Sequence, residues 1–98
     1  MLDSHLFVLL DQFLKLSRLV SRRTVARQFC DAGRVSVNGQ PAKASKEIKV
    51  GDEIEIRKVG RTFAVRVMEV PMLKQVSKNA AADLVEIREV RQNDELST

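Results

Sequence analysis

The dipeptide Asn38-Gly39 constrains this chain more than any other feature, because it closes a β-hairpin of one geometry. A two-residue type I′ turn needs positive φ at both central positions, which Asn and Gly tolerate best. The run before it, Arg34-Val35-Ser36-Val37, alternates with a period of two, and Gln40-Pro41-Ala42 can return as a short strand. Proline has no N–H to donate, so that return strand belongs at a sheet edge. One residue before the hairpin stands Gly33, the residue type that ends a helix in the left-handed conformation. A helix must therefore stop at about residue 32 and a hairpin must begin at once, which makes the fold α+β.

Two short helices are expected upstream. Leu10, Phe13 and Leu14 recur at helical spacing, with Asp11 in the first turn and Lys15 and Arg18 near the end, as the helix dipole prefers. That predicts a helix over Leu10–Leu16. Ser21 reads as the N-cap of a second helix running to Asp31. On its helical wheel Val25, Ala26, Phe29, Cys30 and Ala32 form one apolar arc, with Arg23 and Arg27 together just off its edge.

Downstream, Val50-Gly51-Asp52 reads as a turn, Glu53–Arg57 alternates as a strand, Gly60 and Arg61 turn the chain, and Phe63–Val70 alternates again. The last two runs are expected to pair. Asn79–Asp83 favours helix, Leu84–Val90 fits either helix or strand, and Arg91–Thr98 reads as a frayed tail. The predicted organisation is an extension over 1–8, one domain over 9–70, and a partly helical C-terminal extension over 71–98.

Charge is unevenly spread. Between Leu9 and Lys46 there are eight lysines and arginines against two aspartates, a net of +6, while the chain as a whole carries +4. Clustered guanidinium groups bind phosphate oxygens bidentately, and the start of the second helix adds amide donors beside Arg22 and Arg23. With no Trp or Tyr and four Phe, recognition by stacking several bases on aromatic rings is hard to build. The anionic partner implied is the backbone of a nucleic acid.

Catalysis is poorly supported. His5 is the one histidine, no Gly-rich phosphate loop is present, and the carboxylates are interspersed with cations. No cofactor, metal or enzymatic activity is expected. Cys30 is the one cysteine, which points to a reducing compartment, and its apolar neighbours read as burial rather than reactivity. The apolar run Leu6–Leu10 is too short to cross a bilayer, so no membrane association is expected.

The runs Leu10-Asp11-Gln12-Phe13-Leu14-Lys15, Ser17 to Ala26, Gly33 to Gly39 and Lys43-Ala44-Ser45 together resemble the S4-like RNA-binding domain, and most of all the short free-standing bacterial RqcP family. The resemblance implies a small S4-like (alpha-L) fold, two short helices on a small, mostly antiparallel sheet with a C-terminal extension. It also implies RNA contacts by Arg23 above all, by its neighbour Arg22, by Lys15 and Arg18 of the first helix, and by Lys43 and Lys46 after the hairpin. Arg27 joins them from the helical wheel. Asp11 is expected to pair with a nearby arginine, and Asn38 with Gly39 to serve turn geometry. The family's partners would be rRNA of an obstructed large ribosomal subunit, peptidyl-tRNA and the protein RqcH, the chain acting as a cytoplasmic monomer that supports C-terminal tailing of stalled nascent chains. The run Val8-Leu9-Leu10-Asp11 departs from the family, with Leu9 where an arginine is usual; initiation at Val8 is one reading of that offset. Three other readings are a ribosome-associated heat-shock protein of the same domain class, an orphaned domain of an RNA-modifying enzyme, and a helix-turn-helix regulator. The hairpin directly after Gly33 does not fit the last.

Overall fold

The computed structural model describes residues 8–71 and 77–92. The expectations for His5, for the extension before Val8 and for the tail beyond Gln92 lie outside these residues.

Helix α1 covers Leu10–Leu16 and helix α2 covers Arg23–Asp31, the first as the spacing predicts. The cap of α2 differs from expectation by one residue. Arg22, not Ser21, stands at the N-cap with extended backbone and no side-chain cap, and its carbonyl accepts the first helical bond from Ala26 at 3.0 Å. Ala26 and Cys30 of this helix pack against the core, and that packing sets where it begins in place of the cap preference of Ser21. At the other end, Gly33 takes φ 76° and donates to the Cys30 carbonyl, while the Arg34 N–H reaches the Phe29 carbonyl at 2.9 Å. That pair of bonds is a Schellman motif, and it aims the chain directly into the hairpin.

After a first short strand β1 (Val8–Leu9), the strands are β2 (Val35–Val37), β3 (Gln40–Pro41), β4 (Glu47–Ile48), β5 (Glu53–Lys58), β6 (Arg61–Val67) and β7 (Val85–Gln92), with a third helix α3 (Lys78–Ala82) before the last. Strands β3-β2-β5-β6-β7 form one antiparallel sheet in that order, and β1 pairs with β4 in a separate two-stranded ladder. The hairpin turn is as predicted, with Asn38 at φ 53° and Gly39 at φ 86°. Asn38 also clamps the tip to the next strand, its Oδ1 accepting from the Glu53 N–H at 2.9 Å and its Nδ2 donating to Asp52 at 3.1 Å.

Three features escaped the sequence. Strands β1 and β4 are two residues each, too short to show any period. The segment Leu84–Val90, open between helix and strand, is strand from Val85 onward, with Leu84 in the turn before it, and Arg91 with Gln92 continues the strand rather than fraying. Strand β6 ends at Val67 instead of Val70.

One face of the five-stranded sheet is the core. Val35, Val37, Ile54, Ile56, Val65 and Val67 alternate inward and are 4% exposed or less, packed with Leu10, Phe13 and Leu14 of α1 and Ala26 and Cys30 of α2. Burial first, then the carboxylates of Asp11 and Asp31, push the Cys30 thiol up to about 11, so it is held as a thiol at neutral pH. Among the described residues no helix is long and apolar enough to cross a membrane.

The Gly33 terminator generates a prediction. No neighbour crowds a Cβ there, so Gly33→Ala costs only the left-handed backbone, about 1–2 kcal/mol, and Gly33→Asn costs less. Urea unfolding of the two variants should rank them in that order below the parent.

Candidate nucleic-acid interface

The site is organised by one buried acid. Asp11 lies in the first turn of α1 and is 2% exposed. Its Oδ1 accepts from the Gln12 N–H at 2.8 Å, and its Oδ2 accepts from Arg23 Nε and Arg27 Nε, each at 2.9 Å. Residues four apart share a helix face, so α2 presents both guanidinium groups to one carboxylate. Burial by itself would raise the Asp11 carboxyl. The two guanidinium hydrogen bonds, with Arg23's charge and the Gln12 amide, outweigh it and hold the group below its ordinary range.

The arginines face the other way as well. Their side chains are 43% and 57% exposed while Asp11's is 3%. Each is bound through Nε, which leaves terminal NH₂ groups for an external oxyanion. The carboxylate sits behind the guanidinium groups, fixing their planes and showing little negative charge to solvent.

Backbone pairing brings a third cation to the same place. The β1–β4 ladder pairs Val8 with Ile48 and Leu9 with Glu47. The amides of Leu10 and Asp11 then donate to the carbonyls of Lys46 and Ala44, at 2.7 and 3.1 Å. These bonds lay residues 43–46 across the start of α1. An open cleft of about 450 Å³ results, lined by Asp11, Arg23, Arg27, Lys43, Leu9, Asp31, Ala44 and Ser45.

Of the seven predicted contacts, the cleft gathers Arg23, Arg27 and Lys43. Lys46 lines a neighbouring hollow of about 270 Å³ beside Gln40 and Pro41, a hollow that Lys43 also borders. Lys15, Arg18 and Arg22 are exposed and do not line the Asp11 cleft. Arg18 holds φ 63° in the turn between the helices, a conformation costing an L-residue on the order of 1 kcal/mol. Sequence reading did not place Ser45, Asp31 or Leu9 at this cleft. Asp31 follows Arg27 by four on α2, which was a usable signal; Ser45 and Leu9 arrive through the two-residue ladder, which was not. Among the described residues no cluster of His, Cys, Asp or Glu suits a metal ion.

A two-helix corner with paired guanidinium groups beside a tight hairpin defines an S4-domain protein, and the family model for the S4 domain matches residues 8–54. The chain is 45% identical over 78 residues to the RQC P-site tRNA stabilizing factor of Streptococcus pneumoniae, covering 80% of this chain and 86% of that protein. It is 47% identical over 73 residues to the factor of the same name in Bacillus subtilis, covering 74% and 81%. The trimeric structure of Vibrio cholerae heat shock protein 15 superposes with a TM-score of 0.76 at 27% identity, over 83% of this chain and 81% of that one. The chain belongs to the S4-domain family of RQC P-site tRNA stabilizing factors, the RqcP family.

The paired acid predicts an acid-sensitive fold. Asp11 has a depressed folded-state pKa, so its contribution is complete above the unfolded value, about pH 4, and is lost as pH falls below it. Asp11→Asn should lower stability at pH 7, and its urea midpoint should fall less than the parent's between pH 5 and pH 3.

Proposed function

We propose that this chain is a non-catalytic RNA-binding factor of ribosome quality control. It grips phosphates in the Asp11 cleft and stabilises P-site tRNA on large ribosomal subunits obstructed by peptidyl-tRNA. The observation that carries the reading is the pair Arg23 and Arg27, locked on one buried carboxylate beside Lys43. Two guanidinium groups of fixed orientation recognise a folded backbone better than mobile ones, because less side-chain entropy is lost on binding. The names of the relatives supply the tRNA and the quality-control setting.

On this reading Arg23 and Arg27 contact phosphates directly, with Lys43 at the cleft rim. Arg22, Arg18, Lys15 and Lys46 extend the electropositive surface around them. The protein works in the cytoplasm as a monomer, contacts rRNA of the large subunit together with the tRNA, and cooperates with RqcH in extending the stalled chain with a C-terminal tail. A second reading, recycling of blocked large subunits in the manner of a heat-shock protein of the same domain class, is supported by the likeness to heat shock protein 15. The higher identity to the stabilizing factors, 45–47% against 27%, favours the first.

Arg23→Ala should weaken co-sedimentation with large subunits carrying peptidyl-tRNA by tenfold or more, since a charged hydrogen bond is worth about 1.5–3 kcal/mol. Binding of the parent should fall steeply as salt rises. A folded Arg23→Ala protein that co-sediments like the parent would refute the proposal.

A further inference from the structure

The outer face of the five-stranded sheet, opposite the helices, carries a second basic concavity. Val35, Ile56, Phe63 and Val90 are aligned on the helix-facing side, the first two buried, Phe63 partly buried and Val90 about half exposed, so their neighbours Arg34, Arg57, Thr62 and Arg91 share the opposite face. Register lines them up in one row across four strands. Arg57 pairs with Thr62, and Thr62 with Arg91. Arg34 lies beside Arg57, its carbonyl accepting the Arg57 N–H at 2.9 Å and its own guanidinium reaching the Arg57 carbonyl at 3.2 Å. An open cleft of about 270 Å³ lies over this row, edged by Gly33 and Ser36.

Arg91 reaches this face only through a bulge. Its strand runs in phase up to Ile87, opposite Val65, and Glu89 then pairs with Ala64, so Arg88 is the extra residue. Without that insertion Arg91 would point to the core side. Glu55 lines the cleft and Glu89 lies beside it, and both are joined to Arg91. Within the cleft, three guanidinium groups face one carboxylate. Among the described residues Arg57 has no side-chain hydrogen bond or ion pair, and it is exposed. A cation left unpaired between two others, on a face already rich in paired charge, is available to an outside anion.

We propose that Arg34, Arg57 and Arg91 form a second phosphate-binding site, which takes a nucleic-acid backbone segment distinct from the one in the Asp11 cleft. The proposal rests on the reading that the chain binds RNA, and it makes the domain two-sided. A row crossing four strands spans roughly 14 Å, enough for successive phosphates of one strand. Arginine favours this use over a carboxylate-bearing protein partner because the row offers planar groups and no apolar anchor of the kind protein interfaces need.

The test is a titration of the ¹⁵N-labelled full chain with a short RNA duplex, followed by amide shifts, with poly-L-glutamate as the competing anion. The expected result is two separate sets of shifted amides, one at Arg23 and Arg27 and one at Arg34, Arg57, Thr62 and Arg91. Arg57→Ala should abolish the second set and spare the first, weaken RNA binding about threefold to tenfold, and flatten the salt dependence by about one phosphate contact. Arg57→Lys should restore part of the affinity. RNA-induced shifts confined to the helix side would overturn the second site and leave the proposed function standing. Shifts on neither side would overturn both. Outer-face shifts with poly-L-glutamate and none with RNA would overturn the assignment to nucleic acid.

Discussion

The functional surface depends on burying one carboxylate between two helices. An isolated charge at 2% exposure is costly, and Asp11 is tolerable only because three donors converge on it. The same bonds orient Arg23 and Arg27, whose outward faces stay half exposed. A demand of the fold and a demand of binding are thus met by one set of contacts. Removing the acid would leave two adjacent guanidinium groups repelling each other on α2, so the cluster's geometry and the packing of α1 on α2 stand or fall together.

Everything else near the cleft serves to bring Lys43 and its neighbours to that acid. The Schellman turn at Gly33 fixes where β2 starts, and the Asn38-Gly39 turn sends β3 back at once. Residues 43–46 then cross to the start of α1, held by the Lys46 and Ala44 carbonyls and by the ladder to Val8 and Leu9. Leu9 is half-buried in the cleft wall where the family usually carries an arginine. Asp11 Oδ2 already accepts from two guanidinium groups, so the arrangement of Arg23 and Arg27 does not call for a third.

Much of this architecture could be read from the chain, for reasons that differ by element. The first helix, the Gly33 stop and the hairpin were legible because each depends on local chemistry: helical spacing, left-handed backbone and positive φ. Arg23 and Arg27 were legible as one face of α2, and a pairing of Asp11 with a nearby arginine was implied by the family resemblance, whereas its acceptance from both at once shows only in the structure. Local chemistry failed where tertiary contacts decide. Ser21 is a better cap than Arg22 by propensity, yet packing of α2 moved the cap by one residue. Strands β1 and β4 exist only because their two residues meet each other. In β7, Val85 and Ile87 keep the strand period and Val90 breaks it, which mimics helical spacing until the bulge at Arg88 is known.

Charge shows the same division between line and surface. From Glu47 onward the sequence holds nine basic and ten acidic residues, a net of −1, and nothing in that sum points to anion binding. Antiparallel pairing sorts those charges into rows. Ser36, Glu55, Ala64 and Glu89 form one, Glu53, Arg66 and Glu86 a second, and Arg34, Arg57, Thr62 and Arg91 a third. Within the second row Arg66 meets Glu53 at 2.9 Å, and Arg91 binds the two acids of the first. Part of the near-cancellation along this segment is thus ion pairing within the sheet, and among the described residues Arg57 is left without a partner beside Arg34. A linear count averages over distances that the sheet makes short, and so it hides an electropositive row that register alone brings out.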